Sequence, residues 1–185
     1  MLPAVIALGS NLGDREDNLR SAVRAIGALD GVTITAVSGI VQSHAVKPAG
    51  TDVAAPDYLN AVMLVQSAIH PEALLVELNR IEAEHGRVRV ERWGDRTLDL
   101  DIISFGGLER DTEDLTLPHP AAWQRAFVIV PWRELEPDAE IRGHGRIDAL
   151  DAARSTDVWA YDAPPLLAER RGDSSTADSA KRRIR

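Results

Sequence analysis

The chain contains no cysteine among its 185 residues, which excludes disulfide bonds and any chemistry that needs a thiolate. It also lacks an apolar run as long as a membrane span, and its N-terminus lacks the basic-then-apolar pattern of a secretion signal, so we expect a cytoplasmic protein. Positive charge is in short supply, because 21 lysines and arginines stand against 29 aspartates and glutamates. This net charge of −8 disfavours broad nucleic-acid binding, which requires a basic face.

The residues that are present, 44% hydrophobic and 27% charged, are typical of a globular domain. The length suits a single domain, which we place at residues 1–163. Beyond it the composition changes, since residues 173–180 are small and polar and Lys-Arg-Arg-Ile-Arg closes the chain. Such a segment cannot bury a core, so residues 164–185 are predicted to be a disordered tail.

Apolar periodicity predicts alternating strands and helices. The predicted strands are residues 5–8, 32–43, 57–67 and the stretch from 98 to 102, and helices are predicted after Asp14, from Pro71, and at 123–135 with an interruption at Pro131. Residues 9–13 match neither common glycine-rich phosphate motif, so a tight structural turn is the better interpretation. The short connections favour an α+β sandwich, with helices packed on a mostly antiparallel sheet.

Residues 94–103, Gly-Asp-Arg-Thr-Leu-Asp-Leu-Asp-Ile-Ile, form the most informative stretch. Apolar residues at 98, 100 and 102 alternate with Asp99 and Asp101, which is typical of a strand with one buried face. Positions i and i+2 point to the same side, about 7 Å apart at their backbones. Two such anions repel each other unless a cation lies between them, and Mg2+ prefers oxygen ligands together with substrate phosphates. The alternatives are a solvated strand face, or carboxylates paired with nearby arginines.

The segment just upstream favours the metal interpretation. Residues 86–96 carry arginines at 87, 89, 92 and 96 against Glu91 and Asp95, a local excess of positive charge in an acidic chain. Arginine offers a planar fork of donors that suits phosphate oxygens. Carboxylates and arginines in this order are what a metal–polyphosphate site requires. The alternative is a solvated loop whose arginines pair with surface acids.

Three further side chains are candidates for binding. Tyr58 and Asn60 share one strand face, and an aromatic ring beside an amide suits a flat heterocycle, although a half-exposed sheet face explains them equally well. His119 lies between two prolines that fix its backbone, which favours a positioned side chain over a plain structural turn.

Four motifs follow one another along the chain. They are Ala-Leu-Gly-Ser-Asn-Leu-Gly at 7–13, Pro-Asp-Tyr-Leu-Asn at 56–60, Arg-Trp-Gly-Asp-Arg-Thr-Leu-Asp-Leu-Asp-Ile at 92–102, and Leu-Pro-His-Pro at 117–120. The ordered set resembles the 6-hydroxymethyl-7,8-dihydropterin pyrophosphokinase family of folate biosynthesis over about residues 5–137. The resemblance implies a ferredoxin-like α+β fold and transfer of diphosphate from ATP to the hydroxymethyl group of the pterin, with release of AMP.

The resemblance also implies roles for individual residues. Asp99 and Asp101 would hold two Mg2+ ions, and Arg87 and Arg96 would stabilise charge developing around the β-phosphorus of ATP. The nucleotide would contact Glu82, Arg89, Ile102, Thr116, His119 and Arg125, and the pterin would contact Val46, Tyr58, Asn60, Trp93 and Phe127. The expected partners are these small molecules, with no nucleic acid and no membrane, and the expected state is a monomer.

Two other functions fit parts of the sequence. A nucleotidyltransferase combines a Gly-Ser turn with an Asp-x-Asp strand, but it places them close together, whereas Ser10 and Asp99 are far apart in this chain. A non-catalytic ferredoxin-like module could bind a nucleotide or a partner, but it would not need paired carboxylates beside four arginines. The products distinguish these functions: AMP for the pyrophosphokinase, pyrophosphate for the nucleotidyltransferase, and no turnover for the module.

Overall fold

A sheet with helices on both faces forms the body of the molecule in the computed structural model, which describes residues 1–47, 50–52, 55–85 and 97–167. In chain order, the strands are β1 (Leu2–Ser10), β2 (Val32–Val37), β3 (Val41–Ser43), β4 (Ala45–Lys47), β5 (Gly50–Asp52), β6 (Tyr58–Ser67), β7 (Asp99–Phe105), β8 (Arg110–Asp111), β9 (Thr116–Leu117), β10 (Glu140–Ile141), β11 (Gly145–Arg146) and β12 (Val158–Ala160). The helices are α1 (Arg15–Gly27), α2 (Pro71–Glu84) and α3 (Ala126–Leu135), with short 3-10 turns at Ala122–Gln124, Ile147–Ala149 and Asp151–Arg154.

Antiparallel pairing of the two long strands β1 and β6 forms the middle of the sheet. β1 pairs with β6 from Leu2 opposite Ser67 to Ser10 opposite Leu59, and its other edge pairs with β7. Over the described residues, the main sheet has the order β12-β3-β6-β1-β7, and β2 also pairs with β6. These pairs are all antiparallel, which confirms the predicted α+β class with a mostly antiparallel sheet.

One face of the sheet packs against α1 and α2. The apolar stripes predicted from the sequence are buried on this side: Leu19, Ala22, Val23 and Ile26 of α1; Leu74, Leu78 and Ile81 of α2; Leu59, Ala61, Met63 and Val65 of β6; and Leu98, Leu100 and Ile102 of the β7 segment. Because side chains alternate across a strand, the polar residues between these positions point to the opposite face. The polar strand candidates Tyr58, Asn60, Asp99 and Asp101 therefore share a side with α3.

The α3 face has its own core. Val5, Val62 and Ile103 of the sheet form one buried cluster with Val128, Ile129 and Trp132 of α3 and with residues of the turns that follow it. The sheet is thus the middle of three layers, and both of its faces are apolar over most of their length.

A bulge in β7 allows that strand to serve both cores. The register between β1 and β7 shifts between Val5 and Ile6, and Ile103 is passed over in the pairing. Ile102 and Phe105 consequently lie in the α1–α2 core, while Ile103 lies in the α3 core. Without the extra residue, Phe105 would point to the opposite face, since it lies three positions beyond Ile102.

The prediction of one continuous strand at 32–43 is wrong, because the structure divides this segment into β2 and β3. Ser38 interrupts the strand: its hydroxyl accepts a hydrogen bond from the Val62 amide (2.9 Å), and the next amide, that of Gly39, donates to Glu134 (3.0 Å). Both pieces still pair with β6, β2 near its end and β3 at its beginning.

Two further predictions need correction. Residues 9–13 do not form a single tight turn, since Gly9 belongs to β1 and only Gly13 takes a left-handed conformation (φ 68°). The last helical region consists of the turn Ala122–Gln124 and the separate helix α3, and α3 continues through Pro131.

The end of the described chain packs against α1. Arg20 donates hydrogen bonds to the carbonyls of Pro164 (2.6 Å) and Pro165 (2.8 Å), and the Leu166 side chain joins the α1–α2 core. The predicted tail therefore begins with residues that make contacts, and its prediction as disordered stays a prediction for residues 168–185, which lie outside the described residues. In the described part of the chain, no helix combines the length and the apolar character needed to cross a membrane.

Helix α1 begins as predicted, with Asp14 as its N-cap. The Asp14 carboxylate accepts a hydrogen bond from the Asp17 amide (3.0 Å), which has no partner of its own within the helix.

We expect Asp14→Ala to lower the free energy of unfolding by about 1 kcal/mol, measured by urea denaturation. Asp14→Ser keeps an acceptor and should cost much less; an equal loss in both variants would contradict the capping role.

Candidate functional site

Strand register brings the polar candidates into one row. Gly9 of β1 lies directly opposite Asn60 of β6 on one side and directly opposite Asp99 of β7 on the other. Neighbouring strands are about 4.8 Å apart, so Asn60 and Asp99 lie about 10 Å apart at their backbones with a glycine between them. Asp101 lies directly opposite Ala7, two residues further along each strand. The two carboxylates and the Tyr58–Asn60 pair thus flank one strip of β1.

Gly9 provides the floor between these two groups. A Cβ atom at this position would lie 3.2 Å from Asn60 Oδ1, 3.7 Å from the Tyr58 ring and 3.9 Å from the Cβ of Asp99. The glycine therefore leaves bare backbone where a ligand can approach closely. The tight-turn interpretation of residues 9–13 missed this role, although a glycine inside an apolar strand is a recognised signal for such an approach.

Two basic side chains face the carboxylate of Asp101. Arg125 Nη1 lies 3.5 Å and His119 Nε2 lies 3.8 Å from Asp101 Oδ2. Both distances exceed that of a good charge-assisted hydrogen bond, so both side chains keep donor capacity for another anion. The start of α3 positions Arg125, and the hydrogen bond from the His119 amide to the Ile103 carbonyl (2.9 Å) positions the histidine next to β7.

The imidazole of His119 has a defined orientation. Its Nδ1 atom accepts a hydrogen bond from the Ala121 amide (3.2 Å), which leaves Nε2 as the nitrogen that carries hydrogen towards Asp101. Burial lowers the pKa of His119 below its usual value, and the Asp101 carboxylate opposes this by favouring the charged ring, while Arg125 lowers the pKa further. The predicted positioned side chain next to the prolines is therefore present.

Glu82 of α2 supports the aspartate strand from its outer edge. Its side chain is 1% exposed, and its Oε1 atom accepts a hydrogen bond from the amide of Leu100 (2.7 Å), the residue between the two aspartates. Among the strands of the described residues, β7 is the last in the order of the main sheet, so Glu82 takes the place of a strand partner for this amide. Glu82 therefore fixes the part of β7 that presents both carboxylates.

The heterocycle candidates are held on the other side of Gly9. The buried Asn60 amide donates to the hydroxyl of Ser43 (3.0 Å), and Tyr58 is half-buried beside it. Phe127, in the first turn of α3, lies under Arg125, whose guanidinium carbon is 5.7 Å from the ring centroid. This cation–π contact links the aromatic side of the site to the charged side.

The remaining candidates are placed less directly. Thr116 lies half-buried on β9, and Ile102 points its side chain into the α1–α2 core, so only its backbone can contribute to the α3 face. Val46 lies on β4, and only its backbone position is described. Arg87, Arg89, Trp93 and Arg96 lie outside the described residues.

The chain that leads into the aspartate strand is tied to β1 and α1. Ser10 Oγ donates to the Thr97 carbonyl (2.6 Å), and Asn18 Nδ2 donates to the same carbonyl (3.0 Å) and to Ser10 Oγ (3.1 Å). Sequence reasoning missed Asn18, because an asparagine on a helix gives no signal for a partner 79 residues away. These bonds fix Thr97, two residues before Asp99, against the end of β1 and the first turn of α1.

A separate cleft of about 530 Å3 lies at the opposite end of the sheet. It is lined by the beginning of β1, the end of β7 and residues 136–140. It contains none of the candidate residues, so it is not the candidate site. Among the described residues, no three or more acidic or histidine side chains are grouped as metal ligands. A metal here would be held by the two aspartates together with oxygens from a ligand, which is the usual arrangement for Mg2+ beside phosphates.

Comparison with known proteins agrees with this geometry. The family model for 7,8-dihydro-6-hydroxymethylpterin-pyrophosphokinase (HPPK) matches residues 5–137. A 2-amino-4-hydroxy-6-hydroxymethyldihydropteridine pyrophosphokinase of Haemophilus influenzae is 45% identical over 138 residues, covering 75% of this chain and 84% of the relative. The enzyme of the same name from Synechocystis is 36% identical over 165 residues, covering 88% of this chain and 82% of the relative.

Solved structures agree in fold. A Plasmodium falciparum HPPK-DHPS crystal structure superposes with a TM-score of 0.61 at 12% identity, over 83% of this chain, and the chain spans only 43% of that longer protein. At this identity the likeness supports the fold alone, and it confirms the predicted ferredoxin-like sandwich. The match of the family model and the curated relatives together show that the chain belongs to the 7,8-dihydro-6-hydroxymethylpterin-pyrophosphokinase family.

Proposed function

We propose that the strip along Gly9 is the active site at which this chain carries out the reaction of its family. The enzyme transfers diphosphate from ATP to the hydroxymethyl group of 6-hydroxymethyl-7,8-dihydropterin, in folate biosynthesis, and releases AMP. The single observation that carries the assignment of the site is the register Asn60–Gly9–Asp99. It sets a surface suited to a heterocycle beside a surface suited to a metal–polyphosphate, at a separation that one bound substrate pair can span.

Such a reaction depends mainly on positioning and charge. Phosphoryl-type transfer needs little covalent help from the protein, provided that the attacking oxygen and the phosphorus are aligned and the developing charge is neutralised. On this proposal, Tyr58, Asn60 and Phe127 hold the pterin, together with Val46 and Trp93. The hydroxymethyl oxygen then points across Gly9 towards the β-phosphorus.

The aspartate pair fits a magnesium site. Asp99 and Asp101 supply carboxylate oxygens on one face of one strand, and Glu82 fixes the strand between them. We propose that these two residues hold two Mg2+ ions together with the phosphates of ATP. When bound, the ions would neutralise phosphate charge and make the substrate hydroxyl a better nucleophile. No dedicated side-chain base is then required.

The basic side chains around Asp101 are proposed to bind phosphate oxygens. Arg125 and His119 face the Asp101 carboxylate at 3.5 Å and 3.8 Å and remain able to donate to a ligand. Arg87 and Arg96 are proposed to stabilise charge around the β-phosphorus, and Arg89 to bind a further phosphate oxygen.

The nucleotide is proposed to lie along the outer edge of the site. It would be lined there by the backbone of Ile102 on β7, by Glu82 on α2 and by Thr116 on β9. Helix α2 and strand β9 both contact β7. We further propose that the enzyme acts as a cytoplasmic monomer with a domain of residues 1–163, and that it does not bind nucleic acid.

The direct test is product identity. The purified protein is mixed with ATP, Mg2+ and 6-hydroxymethyl-7,8-dihydropterin, and the nucleotides are resolved by chromatography. AMP that forms only in the presence of the pterin is the expected result. Pyrophosphate as the product would indicate a nucleotidyltransferase, and bound ATP without turnover would indicate a non-catalytic module; either result would overturn the proposed function.

The aspartate pair gives the sharpest mutational prediction. We expect Asp99→Asn and Asp101→Asn each to lower kcat by about a thousandfold, because loss of a metal-ligand charge removes several kcal/mol of charge stabilisation and about 1.4 kcal/mol corresponds to tenfold. Thermal unfolding should change little, since the apolar face of β7 is untouched. Asp30→Asn is the matched control: it is exposed between α1 and β2, near the opposite end of β1. Near-normal turnover in either site variant would refute the metal assignment.

Gly9 gives a second prediction. The methyl group of Gly9→Ala would lie 3.2 Å from Asn60 Oδ1 and would displace that side chain by a few tenths of an ångström. We expect the KM for the pterin to rise by about tenfold, because crowding at a packed position costs about 1–3 kcal/mol. The KM for ATP should stay within about twofold of wild type on the same scale. In the control Gly39→Ala, the three atoms nearest to the new methyl group all belong to the Glu134 carboxylate, the closest at 3.4 Å. Equal effects on both substrates would argue against a pterin-side role.

A further inference from the structure

A hydrogen-bonded group lies just outside the proposed pterin-binding residues. The carboxylate of Asp57 accepts from Gln42 Nε2 at Oδ2 (2.8 Å) and faces His44 Nδ1 at Oδ1 (2.7 Å). The backbone carbonyl of Asp57 accepts a further hydrogen bond from Arg15 (2.6 Å). One residue is thus held from β3, from the residue after β3, and from α1.

The ionised Asp57 carboxylate sets the direction of its hydrogen bond with His44. Hydrogen bonds from Gln42 and from His44 hold the pKa of Asp57 below its usual value, so the carboxylate is ionised near neutral pH. An ionised carboxylate can only accept, so the Nδ1 atom of His44 carries the hydrogen that lies between them. This is a directional contact in which only one of the two ring nitrogens takes part.

The group lies at the junction that carries the pterin-binding residues. Asp57 directly precedes Tyr58, and His44 directly follows Ser43, whose hydroxyl accepts from the Asn60 amide. Ser43 and Tyr58 are themselves opposite each other in the β3–β6 register. Tyr58 is therefore bracketed by two side-chain contacts to the same segment, His44 with Asp57 on one side and Ser43 with Asn60 on the other.

The imidazole is also held from its other side. The ring of Trp159 on β12 contacts it edge to face, with ring centroids 5.1 Å apart and planes inclined by 65°. β12 pairs with β3 and lies at the edge of the main sheet. His44 is thus fixed between the edge strand and Asp57, although about 39% of its side chain is exposed.

We propose that His44 is a positioning residue for pterin binding, which acts through Asp57 to hold the start of β6. The inference rests on the proposed function, since it assumes that Tyr58 and Asn60 contact the pterin. Loss of the Nδ1 donor leaves Oδ1 of Asp57 without its His44 contact, while Gln42 and Arg15 still hold the residue. The link between the residue after β3 and the start of β6 is then lost, so that Tyr58 and Asn60 no longer meet the pterin ring in a fixed arrangement. The proposed metal residues lie on β7, two strands away from β6, so the effect is confined to the pterin.

A plain surface ion pair is the competing explanation. Half-exposed pairs of this kind contribute little to stability and nothing specific to binding.

Three variants of His44 separate the two explanations. Asparagine places its amide nitrogen where Nδ1 of histidine lies, glutamine places its nitrogen nearer to Nε2, and alanine has neither donor. Each variant is assayed for kcat, for the KM of each substrate and for thermal unfolding.

We expect His44→Ala and His44→Gln to raise the KM for the pterin by about tenfold, as for the loss of a hydrogen bond to a charged group. The KM for ATP should remain within about twofold of wild type on the same scale. His44→Asn should restore the pterin KM to near the wild-type value. This order, asparagine better than glutamine, is the result that a purely structural or purely electrostatic role would not produce.

The outcomes separate the two proposals. If the wild-type protein forms AMP in a pterin-dependent manner but all three variants keep its pterin KM, the inference about His44 is wrong and the proposed function stands. Lower stability with unchanged pterin KM, or a parallel rise in both KM values, also overturns it. If the wild-type protein forms no pterin-dependent AMP, the proposed function fails, and the role of His44 fails with it.

Discussion

The register between β6, β1 and β7 is the constraint on which the rest of the site depends. Asn60, Gly9 and Asp99 lie in one row only because β1 pairs with both neighbours at the observed offsets. A slip of one residue in either pairing would turn a functional side chain into the α1–α2 core and bring an apolar one to the surface. The apolar stripes that bury the core therefore also align the residues of the proposed active site.

The bulge in β7 solves a conflict that this arrangement creates. The aspartates require alternation up to Asp101, whereas the core beyond them requires apolar side chains on both faces. Passing over Ile103 lets the strand supply Ile103 to the α3 core and Phe105 to the other core. The carboxylates then remain at the end of the sheet, where Arg125 and His119 approach them and where a ligand has access.

Much of the fold and of the candidate site could be predicted from the sequence, because both depend on the periodicity of apolar residues. Alternation placed Asp99 and Asp101 opposite the buried leucines, and the helical stripes of α1 and α2 are buried as expected. The break at Ser38 and the hydrogen bonds of Asn18 could not be predicted, since each depends on a partner that is distant in sequence. Gly9 was assigned to a turn for a related reason: its importance comes from neighbours on two other strands.

The acidity of the chain does not oppose binding of a polyanion such as ATP. At physiological ionic strength, charges further apart than about 8 Å are largely screened, so the net charge of −8 acts only weakly on a bound phosphate. What matters is the charge within a few ångströms, and there the structure places Arg125 and His119 against Asp101. Each basic group is held near an acid without being fully engaged by it. In such a pair the acid offsets the charge of the basic group in the absence of a ligand. The basic group can still donate to phosphate oxygens when a ligand binds.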